Sequence, residues 1–439
     1  CSSDLSSREK DVRKENLHDL LDLIVDEFPA PRLKLNDGKF RMLVANLTYS
    51  SFMGQVAIGR IESGSVKLGQ KVVLMDEEGK RHSFAVSNLE SFSGLSTKKC
   101  DELSAGEIAL LAGFANPNIG DTIAQEDILE PLTRINVDPP SVAVKVSVNT
   151  SPFAGQDGEY LTSRKLEEVI KKACMTNVAL DIEPTSKAEV FLVKGRGELQ
   201  IVILLEELRR RGYELMVGRP EVIPHIKDGE MFEGEDLMVI DVPDNFVGTV
   251  TELLSERGGR MESMASLEGS NRVRMEFSIP SRGLIALRSI LLTKTKGEAI
   301  YSSSFKRWIP FLGRRLSRAN GALVTDRTGV ATEYGLFNLQ DRGKLFIGAG
   351  TKIYEGMVFG ENNRMNDINA NPAREKKLTN MRASGSDEST KLSGIYPFDL
   401  DSAIEWIDDD EWVEITPKNI RVRKDELRTN FRKVIRNVA

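Results

Sequence analysis

Cysteine and histidine are scarce. Cys1, Cys100 and Cys174 are the only cysteines and form no CxxC, which excludes a disulfide framework and fits a reduced compartment. His18, His82 and His225 are equally scattered, so no zinc-ligand spacing occurs. No apolar run reaches the roughly 18 residues that a membrane-spanning helix needs. The opening CSSDLSSREKDVRKEN also lacks the apolar centre of a signal peptide. The formal net charge is −6, which argues against indiscriminate nucleic-acid binding and shifts attention to how charge is distributed.

Catalytic motifs are missing too. GQVAIGR (54–60) has the two glycines of GxxxxGK, but Arg60 and Ile61 stand where a phosphate-binding lysine and a magnesium-binding hydroxyl are needed. Those glycines read better as turns. GRGELQ (195–200) and GAGT (348–351) lack the third glycine of GxGxxG, and GxSxG and HExxH do not occur. The acidic run Asp408–Asp409–Asp410–Glu411 could attract magnesium, but reads more simply as a solvated helix end beside Trp406 and Trp412. In GRGELQIVILLEELRRRGYEL, Arg196 and Glu198 invite a chemical role. A strand-to-helix turn with Arg209, Arg210 and Arg211 exposed at the helix end is the plainer account. No catalytic residue, metal ligand or cofactor is expected.

What is present is organised in blocks. At 439 residues the chain has room for three or four domains. Leu17, Leu20, Leu21 and Ile24 mark one face of a short helix that needs something to pack on. From Phe40 to Ala124, glycines 54, 59, 64, 69 and 79 punctuate Val- and Ile-rich runs, the rhythm of a small closed β-barrel. Next comes a strand at 142–148, then a helix carrying Leu166, Val169, Ile170 and Ala173. Two strands and a helix with Ile201, Leu204, Leu205 and Leu208 follow, and YELMVGRP closes the unit. That order, βαββαβ, is ferredoxin-like. It returns from DLMVIDVP to EAIYSSSF, with helices marked by Val247, Val250 and Leu254 and by Leu284, Leu287 and Leu291. Beyond about Pro310 lie Gly-punctuated strands, a short helix near DLDSAIEW and a basic tail.

The rear of the chain is where charge concentrates. Between Phe277 and Thr325, Glu298 is the only acid, facing Arg282, Arg288, Lys294, Lys296, Lys306, Arg307, Arg314, Arg315 and Arg318. Tyr301, Phe305, Trp308 and Phe311 are interleaved and could stack on bases, although as strand residues they read better as core. NPAREKKLTNMRASGSDEST (371–390) adds Arg374, Lys376, Lys377 and Arg382 in a segment with no apolar face of its own. The tail adds a third basic stretch, so RNA is the expected partner.

These blocks resemble the TypA/BipA family of ribosome-associated translational GTPases, from about Leu17 to Arg428. GRIESGSVKLGQKV looks like the translation-factor barrel, and VNTSPFAGQDGEYLTSRKL with GRGELQIVILLEELRRRGYELMVGRPEVI like the third domain. IPSRGLIALRS lies in a region similar to elongation factor G domain V. FNLQDRGKLFIGAGTKIYEGMVFGENNR, KKLTNMRASGSDE and IDDDEWVEITPKNIRVRK are much more specific to the family's C-terminal domain. The resemblance implies a monomer that binds the ribosome, contacting ribosomal RNA, A-site tRNA and large-subunit proteins. It also implies roles in stress-related translation control and large-subunit assembly, in a bacterial cytoplasm or an organelle of bacterial origin. In the loop, Lys376, Lys377, Asn380 and Arg382 match the family's contact positions. Gln200 stands where the family usually has histidine.

The expected architecture is multidomain β and α+β. It comprises a segment at 1–35 ending a GTP-binding domain, a barrel at 36–135, ferredoxin-like domains at 138–222 and 230–309, and a mostly-β RNA-contacting domain at 310–439. Cys1 heads the chain and the first methionine is Met42, so a preceding GTP-binding domain is expected to hold GTP and magnesium, leaving this chain non-catalytic. Two alternatives stay open: a nucleotide-independent ribosome assembly factor, and a protein-interaction scaffold.

Overall fold

A computed structural model describes residues 17–28, 38–50, 52–114, 117–134, 140–177, 179–267, 269–311, 318, 320–376, 392 and 394–432. The chain forms two compact units, divided near Val137.

In the first unit, the helix His18–Glu27 forms where the apolar spacing places it, but none of its residues is buried. The rest is built on a nine-stranded antiparallel sheet around Phe40, Met42, Ile61, Leu74, Leu89, Leu111 and Ile123. The ten-residue strand Gly54–Ser63 holds it together, pairing with Arg41–Leu43, Asn46–Ser50 and Ile108–Ala112. Gly54, Gly64, Gly69 and Gly79 adopt positive φ, as turns require. Gly59 does something else: a Cβ there would lie 2.1 Å from the carbonyl oxygen of Leu43, so it permits two strands to close on each other. The barrel expected here is not closed among the described residues. The sheet ends on Arg81–Ala85 and Ser96–Lys99. The second of these is exposed throughout and the first almost so. Apart from Phe84, which packs against the core, these strands are polar, and their charges suit an open edge.

The second unit contains both βαββαβ repeats. Val142–Val148, Ser163–Thr176, Asp181–Pro184, Val190–Gly195, Glu198–Arg210 and Leu215–Val217 follow in chain order. Their strands lie in the spatial order second, third, first, fourth. Ile201, Leu204, Leu205 and Leu208 are all buried, the face that helical spacing selects. The second repeat keeps the same order with Glu230–Pro243, Arg260–Ser266, Arg272–Pro280 and Ile300–Pro310. Its second helix is broken into Ser281–Leu284 and Leu287–Lys294 by Ala286, whose φ is 55°.

The two repeats differ in what borders them. Leu215–Val217, the edge of the first repeat, pairs antiparallel with Glu411–Ile415, so Leu215 faces Ile415 and Val217 faces Val413. The sheet then continues through Ile420–Lys424, Met357–Asn362, Ala322–Thr325 and Ile368–Ala370. One core runs beneath, joining Val144, Leu205 and Leu215 to Val324, Val358, Ile404, Val413 and Val422. The segment expected as a separate last domain thus completes the sheet of the third.

Candidate nucleic-acid interface

RNA contacts were expected mainly on cations, and the fold decides how much of each one faces water. Arg314, Arg315, Lys377, Asn380 and Arg382 lie outside the described residues. The others part into two sets. Lys306 reaches Glu262 and the hydroxyl of Ser278, and Arg307 donates to Glu235 at 2.6 Å. Arg282 has only 15% of its side chain exposed and sits 3.5 Å from the buried carboxylate of Glu233. These three serve the fold of the second repeat.

Lys294 and Lys296 are exposed at the end of the helix Leu287–Lys294, where positive charge also suits the helix dipole. Arg374 and Lys376 are exposed where the chain enters the 377–391 stretch. The entry is pinned: Thr332 donates through its hydroxyl to the carbonyl of Arg374 at 2.6 Å and through its amide to that of Pro372 at 2.9 Å. Of the aromatics, Tyr301 packs against the core of the second repeat. Phe305, Trp308 and Phe311 keep 37–45% exposure, against the core placement expected for them. The Trp308 indole stacks on His225, with centroids 4.8 Å apart.

The acidic run, expected to be solvated, instead meets Arg219, Arg318 and, from the basic tail counted toward RNA, Lys424 inside the fold. Glu411 is 1% exposed. It receives Arg318 through both carboxylate oxygens at 2.6 and 2.7 Å, and Lys424 at 2.8 Å. Lys424 also meets Asp410 at 2.9 Å, and Arg219 reaches Asp408 at 2.7 Å. The Arg318 guanidinium lies 3.5 Å over the Trp406 ring, an arrangement a lysine could not reproduce. Arg318 therefore leaves the basic stripe altogether.

The loop after Val148 is held from two sides. Glu214, 1% exposed, accepts the backbone amides of Gly155, Asp157 and Gly158 at 2.7–2.9 Å and the side-chain amide of Asn149 at 3.0 Å. A Cβ at Gly158 would lie 2.6 Å from Cγ of Glu214, so only glycine lets the loop wrap this closely. Asp157 then accepts from Thr416 Oγ1 and Asn419 Nδ2, each at 2.8 Å. Arg421 lies over Phe153 at 5.3 Å, and Phe153 meets Tyr354 edge-on. The loop is spent on docking the C-terminal strands.

Three family profiles divide the chain along these lines. Residues 54–124 match elongation factor Tu domain 2, 231–319 match the elongation factor G C-terminus, and 320–429 match the TypA/BipA C-terminal domain. A protein of Escherichia coli strain K12 named large ribosomal subunit assembly factor BipA is 42% identical over 420 residues, covering 95% of this chain and 69% of the relative. Relatives of the same name in Haemophilus influenzae and Buchnera aphidicola are 42% and 40% identical, over 95% and 96% of this chain and 68% and 69% of their own.

The chain belongs to the TypA/BipA family.

In this TypA/BipA chain the carboxylates Glu214 and Glu414 escaped sequence reasoning, and Glu411 was taken for part of a solvated run. A signal was present. EWVE and IRVRK flank the turn TPKN, and hairpin register sets Glu411 opposite Lys424 and Glu414 opposite Arg421. Two acids three residues apart on one strand, set against two bases three apart on the next, mark opposite-charge cross-strand pairs. Among the described residues no group of His, Cys, Asp and Glu could hold a metal ion, and no helix is long and apolar enough to cross a membrane.

Proposed function

We propose that this chain is the ribosome-binding portion of a TypA/BipA-type translational GTPase, contacting ribosomal RNA and A-site tRNA through cations of its C-terminal half. The observation that carries this reading is the match, at 42% identity over 95% of the chain, to proteins named large ribosomal subunit assembly factors. Two clusters of exposed cations support it: Lys294 with Lys296, and Arg374 with Lys376 at the mouth of the 377–391 stretch. Lys377, Asn380 and Arg382 follow it in the sequence, outside the described residues. Large-subunit assembly and stress-related translation control are the proposed settings, in a bacterial cytoplasm or an organelle of bacterial origin.

Co-sedimentation with ribosomes across a salt series tests it, with a variant carrying alanine at Lys376, Lys377 and Arg382 run alongside. Binding by the parent, and a log–log salt slope flatter by about 2–3 in the variant, is the expected result. Failure of the parent to sediment even at low salt, alone and after fusion to a GTP-loaded G domain, would sink the proposal.

A further inference from the structure

Three helices from three parts of the second unit meet at one notch. Glu198–Arg210 comes from the first βαββαβ repeat, Leu287–Lys294 from the second, and Leu400–Trp406 from the C-terminal segment. Between them lies a cavity of about 180 Å³ whose lining includes Glu198, Leu199, Arg288, Leu292, Asp401 and Glu405.

Geometry makes this junction sensitive. Ala286, at the head of Leu287–Lys294, holds a left-handed backbone that a residue with a Cβ adopts at a cost. Its amide donates to Oε2 of Glu198 at 3.2 Å. From behind, Nη1 of Arg257 donates to the carbonyls of Gly283 at 3.0 Å and Ile285 at 2.7 Å. A carboxyl of the first repeat thus grips the kink of the second.

We propose that this notch is a proton-operated latch: it holds the second repeat to the shared sheet when one of its facing carboxyls is protonated, and loosens when all are ionised.

The charges around Glu198 are unbalanced. Glu405 and Asp401 face it from Leu400–Trp406, with Asp399 at that helix's cap. Arg288 faces the notch from Leu287–Lys294. Arg257 reaches in from the end of Val247–Glu256, its guanidinium already spent on carbonyls, and the Tyr301 phenol approaches from Ile300–Pro310. Burial first, then Glu405 and Asp401, push Glu198 up to about 7 against the pull of the Ala286 amide and Arg257. Burial also raises Glu405 and Asp401. A carboxyl raised in the docked form binds more protons docked than free. Docking therefore strengthens as pH falls from about 7 to the free value near 4, and is flat outside that window.

Hydrogen exchange, corrected for intrinsic rates, tests this on the whole chain at pH 6 and pH 8. Amides over 287–294 and 400–406 should be about tenfold better protected at pH 6 than at pH 8, with 142–148 as an unchanging reference. Glu198→Gln keeps the acceptor for Ala286 without the charge, and should show the pH 6 protection at both values. Glu405→Gln should move the same amides in the same direction, which keeps the test open if the first variant folds poorly. Equal protection of the parent at both pH values, or glutamine variants no tighter than the parent at pH 8, would overturn the latch.

Discussion

Tyr354 donates its phenolic hydrogen to Oε2 of Glu414 at 2.7 Å, and both side chains are fully buried. Burial first, and then the carboxylate beside it, push this phenol well above its ordinary range. The other oxygen of Glu414 accepts from Arg421 at 2.8 Å and from Asn149 at 3.3 Å. One carboxylate thereby joins the loop after Val148, the strand Glu411–Ile415 and the Tyr354 turn. Tyr354→Phe keeps the ring against Phe153 and removes one donor from a buried charge. The expected cost is about 1–3 kcal/mol, read as a lower urea midpoint with the slope unchanged.

Arg318 tests the same logic with a whole charge. Arg318→Met fills similar space but leaves Glu411 with Lys424 as its remaining cation among the contacts described above. Breaking a buried pair from one side is costly, so a loss of about 3 kcal/mol is expected. The double variant Arg318→Met with Glu411→Leu should recover part of that loss, because no uncompensated carboxylate remains. A double variant whose loss equals the sum of the two singles would show that Arg318 acts through Trp406 rather than Glu411.

Helical and strand periodicity carried most of the fold into view. Ile201, Leu204, Leu205 and Leu208 identified their buried face because a helix samples its neighbours every three to four residues. Arg260–Ser266 and Arg272–Pro280 form as strands inside the repeat that the sequence marked from DLMVIDVP to EAIYSSSF. Two things stayed hidden for one physical reason. The pairing of Leu215–Val217 with Glu411–Ile415 spans nearly two hundred residues, and local patterns say nothing about distant partners. The pairing of Arg318 with Glu411 is hidden likewise: unlike Arg421 and Lys424, which hairpin register sets opposite acids, Arg318 looks identical in sequence whether it faces water or a buried glutamate. Net charge along the chain therefore overstated how much positive charge the fold leaves exposed.

That distinction predicts how the basic stripe divides. Lys294→Ala with Lys296→Ala removes two exposed cations and should flatten the salt slope of ribosome binding by about 1.5–2. Lys306→Ala with Arg307→Ala removes cations that Glu262 and Glu235 already hold. It leaves those carboxylates free to repel phosphate, so affinity should fall while the slope changes less. Equal slope changes in the two pairs would mean that the ion pairs open on binding.

Asp157 gives the C-terminal docking a pH dependence of its own. Burial alone would raise this carboxyl, but Asn419, Thr416, Arg421 and Lys418 outweigh it and hold the group below its ordinary value. A depressed folded value means stability that is present above the unfolded value near pH 4 and is lost as pH falls through the folded one. Asp157→Asn removes the charge and one strong acceptor, so at pH 7 it should cost about 1–2 kcal/mol. Parent and variant should then converge in stability as the pH drops below about 4, because the parent's carboxyl becomes neutral as well. The comparison runs in the direction opposite to that for Glu198, whose charge opposes docking. Urea midpoints of parent and Asp157→Asn between pH 3 and pH 7 decide it: a constant loss across that range would mean that the charge of Asp157 contributes nothing, and no loss at any pH that Glu214 holds the loop without it.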